Sequence, residues 1–262
     1  MPATTFRRLH DGPGVLVLPN CWDAGSARLV AGLGARAIAT SSAGLAWSRG
    51  YPDGDVLPLA ALIAAVREIK RVIDVPLTVD AEAGYADDPG TVAESIAALV
   101  DAGATGINLE DGRSPPALLA TKIERIKARL GAAVFITART DVYLRSLVPH
   151  PDRVTETVAR AARYRAAGAD GIFVPGLSAA DDIRAIASQV GLPLNVLAVP
   201  GLPALPQLTS LGVRRLSAGS ALAQSAWART TSLARAFLAD GASEPLSAQA
   251  TPYAEINAMF TR

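Results

Sequence analysis

Eight short segments rich in β-branched and other apolar residues recur along the chain, and this repetition limits the possible folds more than any other feature. They are residues 15–19 (VLVLP), 35–41 (ARAIATS), 76–81 (PLTVDA), 105–111 (TGINLED), 133–139 (AVFITAR), 171–176 (GIFVPG), 193–198 (PLNVLA) and 213–219 (VRRLSAG). Strands of nearly continuous apolar character that alternate with helices indicate a parallel sheet covered on its outer face. Eight such units predict an α/β fold, a (β/α)8 barrel of the TIM type.

Alanine-rich stretches between the strands carry the signals of helices. Helices are predicted over residues 24–34, 87–104, 153–169 and 178–191, and a longer one over 220–241. The AGA tripeptides at 102–104 and 167–169 mark corners where a helix gives way to a strand. Neither a G-x-G-x-x-G motif after the first strand nor a P-loop is present, which disfavours a nucleotide-binding doubly wound sheet. We expect one barrel domain over residues 1–262, with 220–262 as a C-terminal helical segment.

Charge and composition exclude several classes of function. Twenty-five basic residues against 24 acidic ones leave a net charge of +1, too little to attract nucleic acid or an anionic membrane. No apolar run approaches the roughly 18 residues that a membrane helix needs, and the first ten residues lack the apolar core of a secretory signal. Cys21 is the single cysteine, so no disulfide can form within the chain. These features predict a soluble protein of the reducing cytoplasm.

Polar residues cluster where the predicted strands end, and in this kind of barrel the carboxyl ends of the strands carry the chemistry. Acidic residues come from several segments, and Arg139 is a cation at the end of an apolar strand. The residues at this rim are Asn20, Ser41, Ser42, Ala43, Asp53, Asp80, Glu82, Glu110, Asp111, Arg139, Asp141, Asn195 and Ser217.

Carboxylates that converge repel one another unless a cation lies between them or some are protonated. Oxygen ligands without a nearby histidine suit Mg²⁺, with Mn²⁺ as the alternative, rather than zinc. We expect Asp80 to bind the ion directly, with Asp53, Glu82 and Glu110 holding its water shell. Each acid also has a structural alternative: Asp53 is a turn residue of GYPDGD, and either Glu82 or Asp111 faces solvent.

Arg139 needs an anionic partner, and the sequence offers two. One is a bidentate clamp on a substrate carboxylate; the other is a buried ion pair with Asp141 or Glu110. The SSAG stretch, with Ser41, Ser42 and Ala43, offers close backbone N–H groups for another carboxylate.

Several motifs taken together resemble the isocitrate lyase/phosphoenolpyruvate mutase superfamily. They are NCWDAGSARLVAGLGARAIATSSAGLAWSRGYPDGD, VDAEAGYADDP, AGATGINLEDG, ARTD and GADGIFVPG, in family order over about the whole chain. The resemblance implies a (β/α)8 barrel whose last helix is exchanged with a neighbouring subunit, in a dimer or a tetramer of two dimers. It also implies Mg²⁺ and a small 2-oxo or 2-hydroxy acid, cleaved or formed through a metal-stabilised enolate.

Carried over position by position, the resemblance repeats the metal set given above and makes Arg139 and Glu110 the candidate catalytic residues. Ser41, Ser42, Ala43, Arg139 and Asn195 would bind the substrate. The chain departs from the family's lyases in two places: their lysine–cysteine–glycine–histidine loop is replaced by EDGRSPPALLATKIERIKA, and Pro175 stands where lyases tend to show a glutamate. True isocitrate or methylisocitrate lyase activity is therefore not expected. Cys21 is expected to be a buried apolar residue, with a catalytic role as the alternative.

Four functions follow from these residues. The first is Mg²⁺-dependent carbon–carbon cleavage or decarboxylation of a small carboxylic acid. The second is carbon–phosphorus chemistry on a phosphonopyruvate-like substrate, for which Arg113 and Lys122 are the only basic residues near the replaced loop. A Schiff-base aldolase would need a lysine at a strand end, and all three lysines fall in or near predicted helices. The fourth is a barrel that binds dicarboxylates without turnover.

Overall fold

The computed structural model describes residues 2–261. The strands are β1 (Leu16–Leu18), β2 (Asn20–Cys21), β3 (Ile38–Thr40), β4 (Leu77–Asp80), β5 (Gly106–Glu110), β6 (Phe135–Arg139), β7 (Gly171–Phe173), β8 (Leu194–Leu197) and β9 (Val213–Ser217). The helices are α1 (Pro2–Arg8), α2 (Ala24–Gly32), α3 (Ser42–Ser48), α4 (Leu59–Val72), α5 (Pro89–Asp101), α6 (Pro116–Leu130), α7 (Arg153–Ala166), α8 (Ala180–Gln189), α9 (Leu205–Ser210), α10 (Ala221–Asp240), α11 (Glu244–Ser247) and α12 (Tyr253–Ala258).

All strand pairs are parallel, and the strands follow the order β1-β9-β8-β7-β6-β5-β4-β3-β2. β1 and β2 are two halves of one barrel strand, interrupted at Pro19, which has no N–H to give to a ladder. The sheet therefore runs from one half of this strand around to the other and forms a nearly closed (β/α)8 barrel, as the sequence predicts.

Each of the eight predicted strands is confirmed, and individual ends are up to three residues shorter than predicted. The five predicted helices are confirmed as α2, α5, α7, α8 and α10. Asp88 begins α5 by accepting a hydrogen bond from the N–H of Thr91, and Pro89 stands at the first helical position. Gly103 turns the chain out of α5 with φ of 115°, a value that favours glycine. The short helices α1, α3, α9, α11 and α12 are not predicted by the sequence pattern.

Two apolar cores hold the barrel together. The larger fills the layer between the outer face of the sheet and the surrounding helices. The smaller lies inside the barrel, where Phe6 of α1 packs edge-on against Phe135, with ring centroids 5.3 Å apart. The α1 helix thus covers the amino-terminal end of the barrel, and His10 stacks on Phe135 there. The opposite end, where the strands end in polar residues, is left for the site.

The α10 helix contributes little to this packing. Ala223 is its single buried residue, while Trp227 and Phe237 are about half exposed, at 48% and 47%. Its 20 residues therefore present apolar side chains that the described part of this chain leaves largely uncovered. Among residues 2–261, no helix combines the length and the apolar character needed to cross a bilayer.

Candidate active site at the carboxyl end of the barrel

A cavity of about 120 Å³ opens at the carboxyl ends of the strands. It is lined by residues from all eight barrel strands and the loops that follow them: Asn20, Ser41, Ser42, Ala43, Asp53, Asp80, Asn108, Arg139, Leu144, Phe173, Pro175, Leu197, Ser217, Gly219 and Ser220. Six of the predicted site residues share this lining: Ser41, Ser42, Ala43, Asp53, Asp80 and Arg139. Glu82, Glu110 and Asn195 lie behind it.

Asp80 occupies the last position of β4, where its N–H donates to the hydroxyl of Thr40 on the neighbouring strand at 2.9 Å. Burial raises the pKa of the Asp80 carboxyl above its usual range, and the negative charge of Asp53 adds to the shift. Arg139 and a hydrogen bond from Ser42 act in the opposite direction. The carboxylate is therefore short of positive charge, which is the condition a bound cation relieves.

Glu82 has turned away from the cavity. Its φ of 49° is left-handed, and its buried carboxylate accepts hydrogen bonds from the Tyr85 hydroxyl at 2.9 Å and from the N–H of Asp55. Burial raises the pKa of Glu82. Asp55 returns a contact, since its carboxylate accepts from the N–H of Ala83 at 3.3 Å. Glu82 thus ties the loop that carries Asp53 to the end of β4.

Lys122 of α6 holds the loop between β4 and α5 from outside. Its ammonium donates to the carbonyls of Ala83 and Ala86, each at 2.8 Å. Burial lowers the pKa of Lys122. Lys122 is therefore committed to the loop behind the cavity and does not reach the position that a phosphonate-binding residue would need.

Arg139 joins the cavity to two buried carboxylates. Its Nη1 forms an ion pair with Glu110 at 2.6 Å, and its Nε and Nη2 donate to the two oxygens of Asp141 at 2.8 and 3.1 Å. The buried pairing offered as one reading of the sequence is therefore present with both acids at once. A guanidinium carries five N–H groups; Asp141 takes two and Glu110 a third, so two remain for a ligand in the cavity.

Glu110 lies directly behind Arg139 and has an unusual environment. Burial raises the pKa of Glu110 to about 8; the charge of Arg139 opposes this rise, and those of Asp80 and Asp141 add to it. The same carboxylates raise the pKa of Arg139 against the effect of its burial. Glu110 is thus electrostatically coupled to Asp80 through the interior of the site, although it does not line the cavity.

The SSAG stretch supplies another part of the cavity wall, next to Asp80. Ser41 begins α3, where its hydroxyl accepts from the N–H of Gly44 at 3.2 Å. The backbone N–H groups of Ser42 and Ala43 fall in the first turn of that helix, where N–H groups have no partner within the helix. A side chain at Gly44 would come within 2.8 Å of the Trp22 side chain, so glycine permits this close approach of α3.

Two further rim residues are structural. Asp111 is buried and accepts from the Tyr164 hydroxyl at 2.6 Å, from Arg160 at 2.9 Å and from the N–H of Asp141 at 3.0 Å. Asp111 therefore braces the back of the site. This excludes the alternative, left open by the sequence, that Asp111 faces solvent. Cys21 is fully buried, and burial raises the pKa of its thiol to about 12, so it behaves as an apolar residue.

The oxygen-rich donor set fits a hard divalent cation held mainly by water. Asp53 and Asp80 share the cavity, but among residues 2–261 no three His, Cys, Asp or Glu side chains are grouped as a ready-made metal cage. Mg²⁺ commonly binds through one or two carboxylates and keeps several waters, so such a cage is not required. The burial of Asp80 and the rise in its pKa are the observations that favour a cation here.

Sequence reasoning missed several residues of the site. Asn108, Phe173 and Leu197 line the cavity, and Arg215 lies beneath it. Two of these could have been found, because residues two apart on a strand point to the same side. Phe173 is two residues before Pro175, and Asn108 is two residues before Glu110.

The phosphoenolpyruvate phosphomutase family model matches residues 6–238 of the chain. An uncharacterised protein of Mycobacterium tuberculosis is 39% identical over 258 residues, which cover 97% of this chain and 95% of that protein. The oxaloacetate decarboxylase of Paraburkholderia xenovorans is 32% identical over 234 residues, 84% of this chain and 77% of the relative. A solved Burkholderia cenocepacia structure, provisionally named a lyase/mutase, has a TM-score of 0.91 at 36% identity and covers 100% of this chain and 96% of its own.

Proposed function

The chain belongs to the phosphoenolpyruvate phosphomutase family, within the isocitrate lyase/phosphoenolpyruvate mutase superfamily, and on that premise we propose that it is a Mg²⁺-dependent enzyme that cleaves a carbon–carbon bond of a small 2-oxo or 2-hydroxy acid. Decarboxylation of a 2-oxo diacid is the reaction that the site supports best. The observation that carries this proposal is the meeting of Asp80, Asp53 and Arg139 on one small cavity.

Asp80 would hold the ion directly, with Asp53, Glu82 and Glu110 acting on its water shell; Mn²⁺ would serve in its place. When bound, the ion supplies a Lewis acid for the carbonyl oxygen that becomes an enolate oxygen. Glu82 would act indirectly, since its oxygens already position the loop that carries Asp53.

The remaining residues act on the acid itself. The free N–H groups of Arg139 would bind a substrate oxygen and balance negative charge as it develops. The N–H groups of Ser42 and Ala43 and the hydroxyl of Ser41 would bind the carboxylate at the other end. Asn195 has no direct contact with the cavity, so its role would be to position Ser217, whose hydroxyl donates to it at 3.1 Å.

Cavity size and wall chemistry favour a small substrate. A volume of about 120 Å³ matches about four water molecules at roughly 30 Å³ each, which suits a three- or four-carbon acid better than a tricarboxylate. Leu144, Phe173, Pro175 and Leu197 make part of the wall apolar, a lining that would disfavour water beside a departing CO₂. The similarity to an oxaloacetate decarboxylase points to the same size class.

Carbon–phosphorus chemistry is the second candidate, because the matching family model is that of a phosphomutase. The geometry supports it less well, since Lys122 is hydrogen-bonded behind the cavity and Arg113 is exposed on the loop before α6. A barrel that binds dicarboxylates without turnover is the third candidate.

A panel of 2-oxo and 2-hydroxy acids, assayed with Mg²⁺ and again with EDTA, separates these candidates. We expect Mg²⁺-dependent release of CO₂ or pyruvate from oxaloacetate and little phosphate or phosphoenolpyruvate from phosphonopyruvate. Faster turnover of phosphonopyruvate would establish the second candidate. Binding of oxaloacetate in calorimetry with no turnover of any acid would establish the third.

The assembly is part of the same proposal. Residues 220–262 would be exchanged between subunits, in a dimer or a tetramer of two dimers. Support comes from the exposed apolar side chains of α10 and from an apolar groove of about 700 Å³ between α2 and α10, lined by Trp22, Leu29, Leu33 and Leu222 among others. Sedimentation velocity tests this: we expect an oligomer, and a stable monomer at micromolar concentration would contradict it. The cytoplasmic location stays a proposal that rests on the single cysteine.

A further inference from the structure

Arg215 lies inside the barrel beneath the cavity and is one of the largest fully buried side chains of the described chain. It is 1% exposed, on β9, two residues before Ser217. Residues two apart on a strand point to the same side, so Arg215 lies one interior layer below Ser217. Thr137 stands in the same relation to Arg139 on β6. The guanidinium therefore sits directly under the residues that line the site.

The contacts of Arg215 are all with uncharged groups. Its Nε donates to the Ser217 hydroxyl at 3.1 Å and its Nη1 to the Thr137 hydroxyl at 3.4 Å, while Nη2 has no hydrogen-bond partner. Within residues 2–261 it forms no ion pair. The Ser217 hydroxyl in turn donates to the side-chain oxygen of Asn195, so the three side chains form one hydrogen-bonded chain.

A buried cation without a counter-ion is costly to the fold. Burial lowers the pKa of Arg215 to about 10, and Asp80 is the carboxylate that opposes this shift. Below the guanidinium, His10 is held neutral, since burial lowers its pKa to about 4 and the charge of Arg215 adds to the effect. Replacement of such a charge by an apolar side chain of similar volume is often neutral or stabilising. Packing alone therefore gives no reason for an arginine at this position.

The negative charge that would compensate Arg215 lies above it, at the cavity. Given the proposed function, which this inference deepens, an anionic acid and its enolate would add further negative charge there. We propose that Arg215 is a positioning residue for this ligand, which orients the Ser217 hydroxyl at the cavity and places permanent positive charge beneath the site. The buried charge lowers the free energy of unfolding, as is common for residues that serve a functional site.

The test measures binding, so that it does not depend on turnover. Oxalate, a planar dianion that resembles the enolate of pyruvate, is titrated into the full-length protein by calorimetry in the presence of Mg²⁺; Mg²⁺ alone is titrated separately. The variants are Arg215→Met, which removes the charge, Arg215→Lys, which keeps it, and Arg215→Gln, which is neutral but retains a donor. Arg214→Met is the matched control, because the adjacent Arg214 projects from the opposite face of the strand.

We expect Arg215→Met to weaken oxalate binding by about tenfold or more, the scale of one charge-assisted hydrogen bond, and to leave Mg²⁺ binding unchanged or tighter. Its melting temperature should equal or exceed that of the wild type. Arg215→Lys should recover part of the oxalate affinity, and Arg214→Met should match the wild type. If Arg215→Met does not fold, Arg215→Gln takes its place with the same expected loss.

Three results would overturn the inference. Oxalate affinity of Arg215→Met or Arg215→Gln within twofold of the wild type would show that the guanidinium does not act on the ligand. Equal weakening of Mg²⁺ and oxalate binding, together with a lower melting temperature, would show a purely structural role. A wild-type protein that binds neither Mg²⁺ nor oxalate would refute the proposed function, and this inference with it.

Discussion

Replacement of Arg139 by lysine tests whether the fork of the guanidinium, rather than its charge, matters at this site. Arg139 contacts Asp141 through two nitrogens and Glu110 through a third, at 2.8, 3.1 and 2.6 Å. An ammonium is a point charge on a flexible stem and cannot span both carboxylates as the planar fork does. Arg139→Lys therefore loses at least one contact with a buried acid and the defined direction of the free donors.

The expected magnitude follows from the burial of the partners. Asp141 is fully buried and the side chains of Arg139 and Glu110 are 15% and 14% exposed, so solvent screens these contacts little. A charge-assisted hydrogen bond contributes about 1.5–3 kcal/mol. Asp141 keeps a second partner in Arg145, at 2.7 Å, which limits the damage. We expect a loss of about 1.5–3 kcal/mol in unfolding free energy, and a similar loss of transition-state binding would lower kcat/KM by roughly 10- to 150-fold.

Urea denaturation and steady-state kinetics with Mg²⁺ measure the two effects on the same preparations. Arg184→Lys is the control, because Arg184 lies on the surface in an exposed pair with Asp181 and should change neither quantity. An unfolding free energy within about 0.5 kcal/mol of the wild-type value, together with a kcat/KM within twofold, would refute the reasoning. A lower unfolding free energy with unchanged kinetics would show that Arg139 serves only as a structural ion-pair partner of Asp141 and Glu110.

Three further predictions follow from other parts of the molecule. His10→Phe should remove a pH dependence of the unfolding free energy. Burial lowers the pKa of His10 from its usual 6.5 to about 4 in the folded protein, so stability is full above pH 6.5 and about 3 kcal/mol is lost as pH falls from 6.5 to 4. Urea midpoints of both proteins across this pH range test the prediction. Tyr164→Phe should cost about 1.5–3 kcal/mol of unfolding free energy, because the buried carboxylate of Asp111 loses a donor at 2.6 Å; an unchanged midpoint would contradict the bracing role. Borohydride reduction in the presence of oxaloacetate should leave the protein mass unchanged, because no lysine lines the cavity; a covalent adduct would support Schiff-base chemistry.

The barrel could be predicted because its signal is local and repeated. Each strand is short, apolar and bounded by turn residues, and two of the longer helices between strands, α2 and α5, begin with a side-chain cap, from Asp23 and Asp88. The place of Asp80 could be predicted for the same reason: it ends a strand, and parallel strands in a barrel bring their carboxyl ends together. The short helix α1 could not, since it forms by packing Phe6 into the end of a barrel that the sequence does not display.

The directions in which individual side chains point could not be predicted from the sequence. Glu82 follows Asp80 by two residues, yet its left-handed φ of 49° turns its carboxylate toward Tyr85 and Asp55. Lys122 resembles a solvent-facing helix residue until the carbonyls of the adjacent loop are seen. Arg215 belongs to a strand with two adjacent arginines, and only the register of the closed barrel shows which of them is interior.

A divalent ion held by Asp80 is the claim on which the proposed chemistry depends. Anomalous scattering from crystals soaked in Mn²⁺ locates the ion, and the Asp80→Ala variant is assayed in parallel. We predict one ion in direct contact with the Asp80 carboxylate, loss of Mg²⁺-dependent turnover in Asp80→Ala, and a metal-free melting temperature for that variant no lower than the wild-type value, because burial already disfavours this carboxylate. An ion bound elsewhere, or undiminished turnover in Asp80→Ala, would contradict the account.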